Sequence, residues 1–172
     1  SAASGALLAN GLNDITGVIN PNLNNTHDFG ESTRRFATIY ATTFNGTATT
    51  AKYADLAEMY TADADIAAGT VVSFGGEYEV TTSTVVGDRK VAGIVSTNPA
   101  YLMNSEAEGV AVALTGRVPC KVSGSVKKGD MMVSDGNGGA RAEADPKMGS
   151  VIGKALEDSE GEAVIEVVVG RM

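Results

Sequence analysis

Apolar and polar residues alternate in short runs over the last two thirds of the chain: "GTVVSF" at 69–74, "KVAGIVS" at 90–96, "GVAVALTGRV" at 109–118, "GDMMVS" at 129–134 and "EAVIEVVVGR" at 162–171. Runs of this length, rich in Val and bounded by Gly, predict β-strands. Helical periodicity is poor by comparison. "AKYADLAEMYTADAD" at 51–65 is the best stretch, placing Tyr53, Leu56, Ala57 and Tyr60 on one face by i, i+3, i+4 spacing, and it predicts a short helix or helical turn.

The pattern repeats. "IAAGTVVS" (66–73) matches "VKKGDMMV" (126–133), and "VAGIV" (91–95) matches "VIGKA" (151–155), both at one and the same offset. "VALTGRV" (112–118) against "EVVVGRM" (166–172) keeps its Gly-Arg at a slightly smaller offset, as a shortened loop would produce. Two similar halves of three strands each are implied, at about 66–118 and 126–172. Gly69 and Gly129 precede apolar runs, where a tight turn can demand φ > 0, and Gly93 and Gly153 interrupt strands, as at a bulge. Two open halves that each bury one face against the other close into a small β-barrel or sandwich.

Upstream the picture changes. Residues 1–52 hold 16 Asn and Thr but only six charged residues, whereas residues 53–172 hold ten Asn and Thr. The first segment cannot build a core alone. Around Phe36, Ile39, Tyr40 and Phe44 it nevertheless carries aromatic and β-branched residues that must be covered by something, and identical neighbours about an axis are the economical source. The small residues of 46–51 fit where chains cross closely, or serve as a linker. The expected organisation is a stalk at 1–52 and a β domain at 53–172.

A net charge of −8 and a pI near 4.6 argue against a phosphate-binding surface, so no nucleic-acid partner is expected. No apolar run approaches membrane-spanning length, and membrane insertion is not expected. Cys120, the only cysteine, allows no intramolecular disulfide and reads as a buried structural thiol. The chain begins at Ser1 rather than Met, which suggests a piece of a longer polypeptide.

For chemistry, Asp55 and Glu58 in "ADLAEMY" are the best carboxylate pair. On a helical turn their i, i+3 spacing would put both on one side, where two carboxylates sharing a proton can act as general acid and base; capping the junction of stalk and tip is the alternative. His27, the only histidine, lies in the Asn-rich segment and forms no hydrolase triad. Asp63 and Asp65 extend an acidic cluster without a calcium-loop pattern, so neither metal nor cofactor is expected. "SDGNGGARAE" at 134–143 reads as a β-turn between strands. In "STNPAYLMNSEAEG" at 96–109, Pro99, Tyr101, Leu102 and Met103 break the alternation and suggest a partly exposed connection.

"DFGESTRRFATIYATTFNG" at 28–46 resembles a motif of bacteriophage tail-fibre and tail-spike proteins: an acidic residue, a Gly, then an Arg-aromatic-x-x-Ile/Val-Tyr-Ala run before a C-terminal domain. "AKYADLAEMY", "VAGIVSTNPAYLMN" and "VALTGRVPCKVSGSVKKGD" are similar to that domain, so the resemblance covers about 25–172. It implies a homotrimer with an intertwined β stalk running into a globular tip, more fibre before Ser1, and a place in the virion. Its role would be structural and adhesive, with trimer contacts at Phe36, Ile39, Tyr40 and Phe44 and tip contacts to a bacterial surface receptor at Tyr101, Leu102 and Met103. The Asp55–Glu58 segment also resembles the start of self-cleaving intramolecular chaperone domains of phage appendages, which makes an autoproteolytic trimerisation chaperone the alternative. A monomeric β-barrel binding module is the remaining one.

Overall fold

The computed structural model describes residues 22, 23, 26, 28–42 and 55–170. The chain divides into two units, Ser1–Thr47 and Ala48–Met172.

Twelve strands and no helix make up the described part of the second unit: β1 (Asp55–Tyr60), β2 (Val71–Phe74), β3 (Val80–Thr82), β4 (Val91–Val95), β5 (Tyr101–Met103), β6 (Val110–Val122), β7 (Ser125–Val126), β8 (Met131–Ser134), β9 (Ala140–Ala142), β10 (Val151–Ala155), β11 (Ser159–Glu160) and β12 (Ala163–Val169). The 13-residue β6 organises the rest. Its C-terminal part, from Gly116 to Val122, pairs antiparallel with β12, and the ladder continues through β10, β8 and β9 before a parallel bridge from Ala140 returns to Val122. Five strands thereby close a barrel, which leaves no free edge within the ring.

The first half closes in the same way. The N-terminal part of β6 pairs with β4, then β2 and β3 follow, and a parallel bridge from Val80 reaches Ala62, just past β1, which pairs antiparallel with β6 over 110–116. The two closing bridges, Ala62–Val80 and Val122–Ala140, are related by the same offset as the repeated runs. One strand therefore ends the first barrel and begins the second.

Backbone hydrogen bonds repeat in register with the sequence. The Gly69 N–H donates to the Val95 carbonyl and the Gly129 N–H to that of Ala155, both at 2.8 Å. The Ser83 N–H donates to Val71 (3.0 Å) and the Glu143 N–H to Met131 (2.9 Å). Gly69 and Gly129 have φ of 79° and 95°, the turn conformation expected of them. Gly93 and Gly153 follow bulged residues, Ala92 and Ile152, where the β4 and β10 ladders slip register. A side chain at Gly93 would overlap the Ala113 carbonyl oxygen, and one at Gly153 that of Val168.

The cores repeat too. Ile66, Val72, Val80, Ala92 and Val95 fill the first barrel. Their counterparts in the repeat, Val126, Met132, Ala140, Ile152 and Ala155, fill the second. Val71, Ile94 and Ala113 of the first half pack into the second half's core. This joins the barrels into one unit.

Two expectations need correction. Residues 55–60 form a strand, not a helical turn: Leu56, Glu58 and Tyr60 alternate with Asp55, Ala57 and Met59, and pairing with β6 overrides the local helical preference. Each half also contains five barrel strands rather than three. The bounds 66–118 and 126–172 leave out β1 and split the second part of β6, which open the two barrels, and the count of three overlooks the short strands β3 and β9.

Candidate functional site

In the first unit the described residues show no strand ladder beyond a single bridge between Glu31 and Arg34. Phe36 stacks on Phe29 with ring centroids 4.3 Å apart and an interplanar angle of 6°. The pair shields itself only in part: Phe36 remains 55% exposed, Ile39 57% and Tyr40 94%. These three side chains form an apolar stretch without in-chain cover among the described residues. Phe44 lies outside the described residues.

Asp55 and Glu58 do not make the pair expected of them. Three residues apart on a strand, they face opposite sides of β1. Asp55 is buried beside Gly116, its carbonyl accepts from the Ala100 N–H at 2.9 Å, and its Oδ2 has no hydrogen-bond partner among the described residues. Glu58 accepts a 2.8 Å hydrogen bond from the Tyr60 hydroxyl on the same face of the strand. A shared proton requires adjacent carboxylates, and alternation separates them. His27 lies outside the described residues.

Tyr101, Leu102 and Met103 form β5, paired in parallel with Leu56–Glu58 of β1. Only Tyr101 is widely open to solvent, at 64%; Leu102 and Met103 are half-buried against the domain. The turn at 134–143 joins β8 to β9 as expected, with the Asp135 carboxylate accepting from the N–H groups of Asn137 (2.7 Å) and Gly139 (3.0 Å).

A site that sequence reading missed lies at the equivalent turn of the first half, residues 75–79. Asp63 Oδ1 accepts from the N–H groups of Glu77 (3.0 Å) and Tyr78 (2.9 Å), and Glu79 Oε2 accepts from the N–H and hydroxyl of Thr61 at 2.8 and 2.9 Å. The Tyr78 amide, above all, holds the Asp63 carboxyl below its usual value, and the Thr61 amide does the same for Glu79. A side chain at Gly76 would overlap the Asp63 carboxylate, so the turn and its clamp require a glycine there. The clamp fixes an exposed loop that presents Tyr78, 56% exposed. The signal was the "GG" before an acidic-aromatic-acidic triplet, which falls in register with "DGNGG" of the second half.

Among the described residues, no group of three or more His, Cys, Asp or Glu side chains gathers to hold a metal. Asp63 is committed to backbone amides. Burial raises the Cys120 thiol to about 12, so it carries no thiolate at neutral pH.

No protein-family model matches this chain, and no curated protein sequence matches it. Among solved structures, the N base of the head fibre gp8.5 of bacteriophage phi29 is similar at a TM-score of 0.41 and 15% identity, over 64% of this chain and 90% of that one.

Proposed function

We propose that this chain is a structural and adhesive part of a bacteriophage tail fibre, assembled from three copies and acting at the distal end of the fibre in the virion. The observation that carries this reading is the open stretch of Phe36, Ile39 and Tyr40 on a unit whose apolar residues are too scattered along the sequence to make a core. Such side chains are normally buried, and neighbouring copies supply the cover that one chain lacks. The resemblance of residues 28–46 to a fibre motif points the same way. In this reading the β domain is a rigid scaffold whose exposed surface, with Tyr101 of β5 on it, meets a bacterial surface receptor. Three copies would compensate for weak single contacts, because the second and third engagements become intramolecular.

Light scattering of the native protein, paired with the mass of the denatured chain, tests the proposal. Three chains of 17.5 kDa are expected. Three shortened chains would transfer the assignment to a self-cleaving chaperone, and a single intact chain would overturn both.

A further inference from the structure

The internal repeat contains its own docking rule. In the first barrel, the surface formed by Gly69, Thr70, Val71, Thr82 and Ser83 holds the turn 135–139 of the second barrel. Gly138 accepts from the Val71 N–H at 2.9 Å and donates to the Ser83 carbonyl at 3.0 Å, while Lys121 donates to Gly69 and Thr70. The fit is close, since a Cβ on Gly138 would meet the methyls of Thr82 and Thr70 at 2.9 and 3.2 Å.

The same surface occurs again at the repeat-equivalent positions of the second barrel. Gly129, Asp130, Met131, Ala142 and Glu143, with Lys154, line an open groove of about 410 Å³. In the first barrel, the counterpart of the docked turn is the exposed loop 75–79; Asp63 takes the Glu77 and Tyr78 N–H groups, so this loop offers a neighbour its side chains and not the backbone donor that Gly138 uses. Among the described residues, one socket is thus unfilled and one plug unused.

We infer that loop 75–79 of one copy seats in the groove between Asp130, Ala142 and Lys154 of a second copy, forming a head-to-tail contact between β domains. The substitutions between the two halves fit this arrangement. Gly138 becomes Tyr78, a larger plug, while Thr82 becomes Ala142, which opens the floor that receives it. Gly139, Thr70 and Ser83 become Glu79, Asp130 and Glu143, acids on both surfaces, while Asn137 becomes Glu77 and Ile94 becomes Lys154, which sets one pair of opposite charges across the contact. Neither of these two side chains has an ion-pair partner among the described residues. The acids already in the groove are committed, Glu143 to Arg141 at 2.7 Å and Asp130 to the Lys127 N–H at 2.8 Å. A heterologous contact of this kind either closes into a ring or grows into a filament. Resting on the three-copy reading above, it closes here as a ring of three.

Disulfide trapping in the full chain tests the contact, using Tyr78→Cys with Asp130→Cys, the counterparts of Gly138 and Thr70. After mild oxidation the denatured, unreduced sample is expected to run at three times the chain mass, and each single variant at the chain mass. A ladder extending beyond three chains would overturn the ring. An uncrosslinked chain from a sample that light scattering shows to be trimeric would overturn the contact and leave the trimer standing. An unsubstituted chain, with Tyr78 and Asp130 in place, that scatters as one chain would overturn both.

Discussion

At the scale of single residues, two glycines are demanded by close backbone approach alone. Gly93 and Gly153 lack the positive φ that would explain a glycine, and their requirement is steric: each backbone lies against a carbonyl oxygen of the neighbouring strand, Ala113 or Val168. Gly153→Ala must push β10 off β12, and a destabilisation of about 3 kcal/mol is expected, the upper range for forcing extra atoms into a packed interior. Gly170, which has open space around it, provides the control: Gly170→Ala should stay within about 0.5 kcal/mol, as surface changes usually do. Urea midpoints at unchanged m-values would measure both. Cys120 yields a second expectation. With a thiol near 12 in the native fold, alkylation at neutral pH should follow unfolding and stay slow under native conditions, whereas an exposed thiol near the ordinary 9.0 would react directly.

Among the elements, the loop clamp is the pH-sensitive one. Asp63 and Glu79 have native values below their ordinary 3.8 and 4.5, so the unfolded chain takes up protons first on acidification. Their stabilisation is therefore complete above about 4.5 and is lost as pH falls through the depressed native values. Asp63→Asn with Glu79→Gln should lower the urea midpoint in the neutral region and flatten the acid limb, so that variant and parent converge at low pH; an unaltered limb would assign the acid sensitivity elsewhere. The elements also differ in how plainly the sequence announces them. Val-rich runs bounded by glycines, repeated at a constant offset, disclose β2, β4, β8 and β10, because a buried strand must be apolar wherever it occurs. β1 is hidden, since Ala, Leu, Glu and Met in "ADLAEMY" favour helix locally and only pairing with β6 makes them extended. β3 and β9, three residues each, are too short for a period. The carboxylate pair misleads for the same reason as β1: helical spacing gathers Asp55 and Glu58, and strand spacing parts them. The plug and socket are legible only as an unexplained repeat, because a docking surface is made by strands distant in sequence.

For the whole molecule, the shared strand and the open side chains of Phe36, Ile39 and Tyr40 make opposite demands. β6 belongs to both barrels, and Val71, Ile94 and Ala113 bury themselves in the second half's core, so neither barrel can open without exposing surface of the other. The β domain should therefore unfold in one step: in a Tyr40→Phe, Tyr53→Phe background, tyrosine fluorescence from Tyr60, Tyr78 and Tyr101 in the first half and thiol exposure at Cys120 in the second should trace one urea curve. Phe36, Ile39 and Tyr40 lie outside that unit, and their contribution should appear in assembly. Burying a large apolar side chain is worth roughly 1.5–3 kcal/mol, so Phe36→Ser, Ile39→Ser and Tyr40→Ser together should remove at least about 5 kcal/mol per chain from the proposed trimer, between three and four decades in an association constant. The domain's urea midpoint at low protein concentration should not move, while the scattering mass at high concentration should fall to that of a single chain. A triple variant that still scatters as three copies would shift the assembling contacts to the β domain, where loop 75–79 and the Lys154 groove are the surfaces to test. A variant that loses both assembly and the domain's own midpoint would mean that the two units are not energetically separate. The pairing of those two measurements, scattering mass against domain midpoint, distinguishes a stalk that merely binds its neighbours from one on which the fold itself depends.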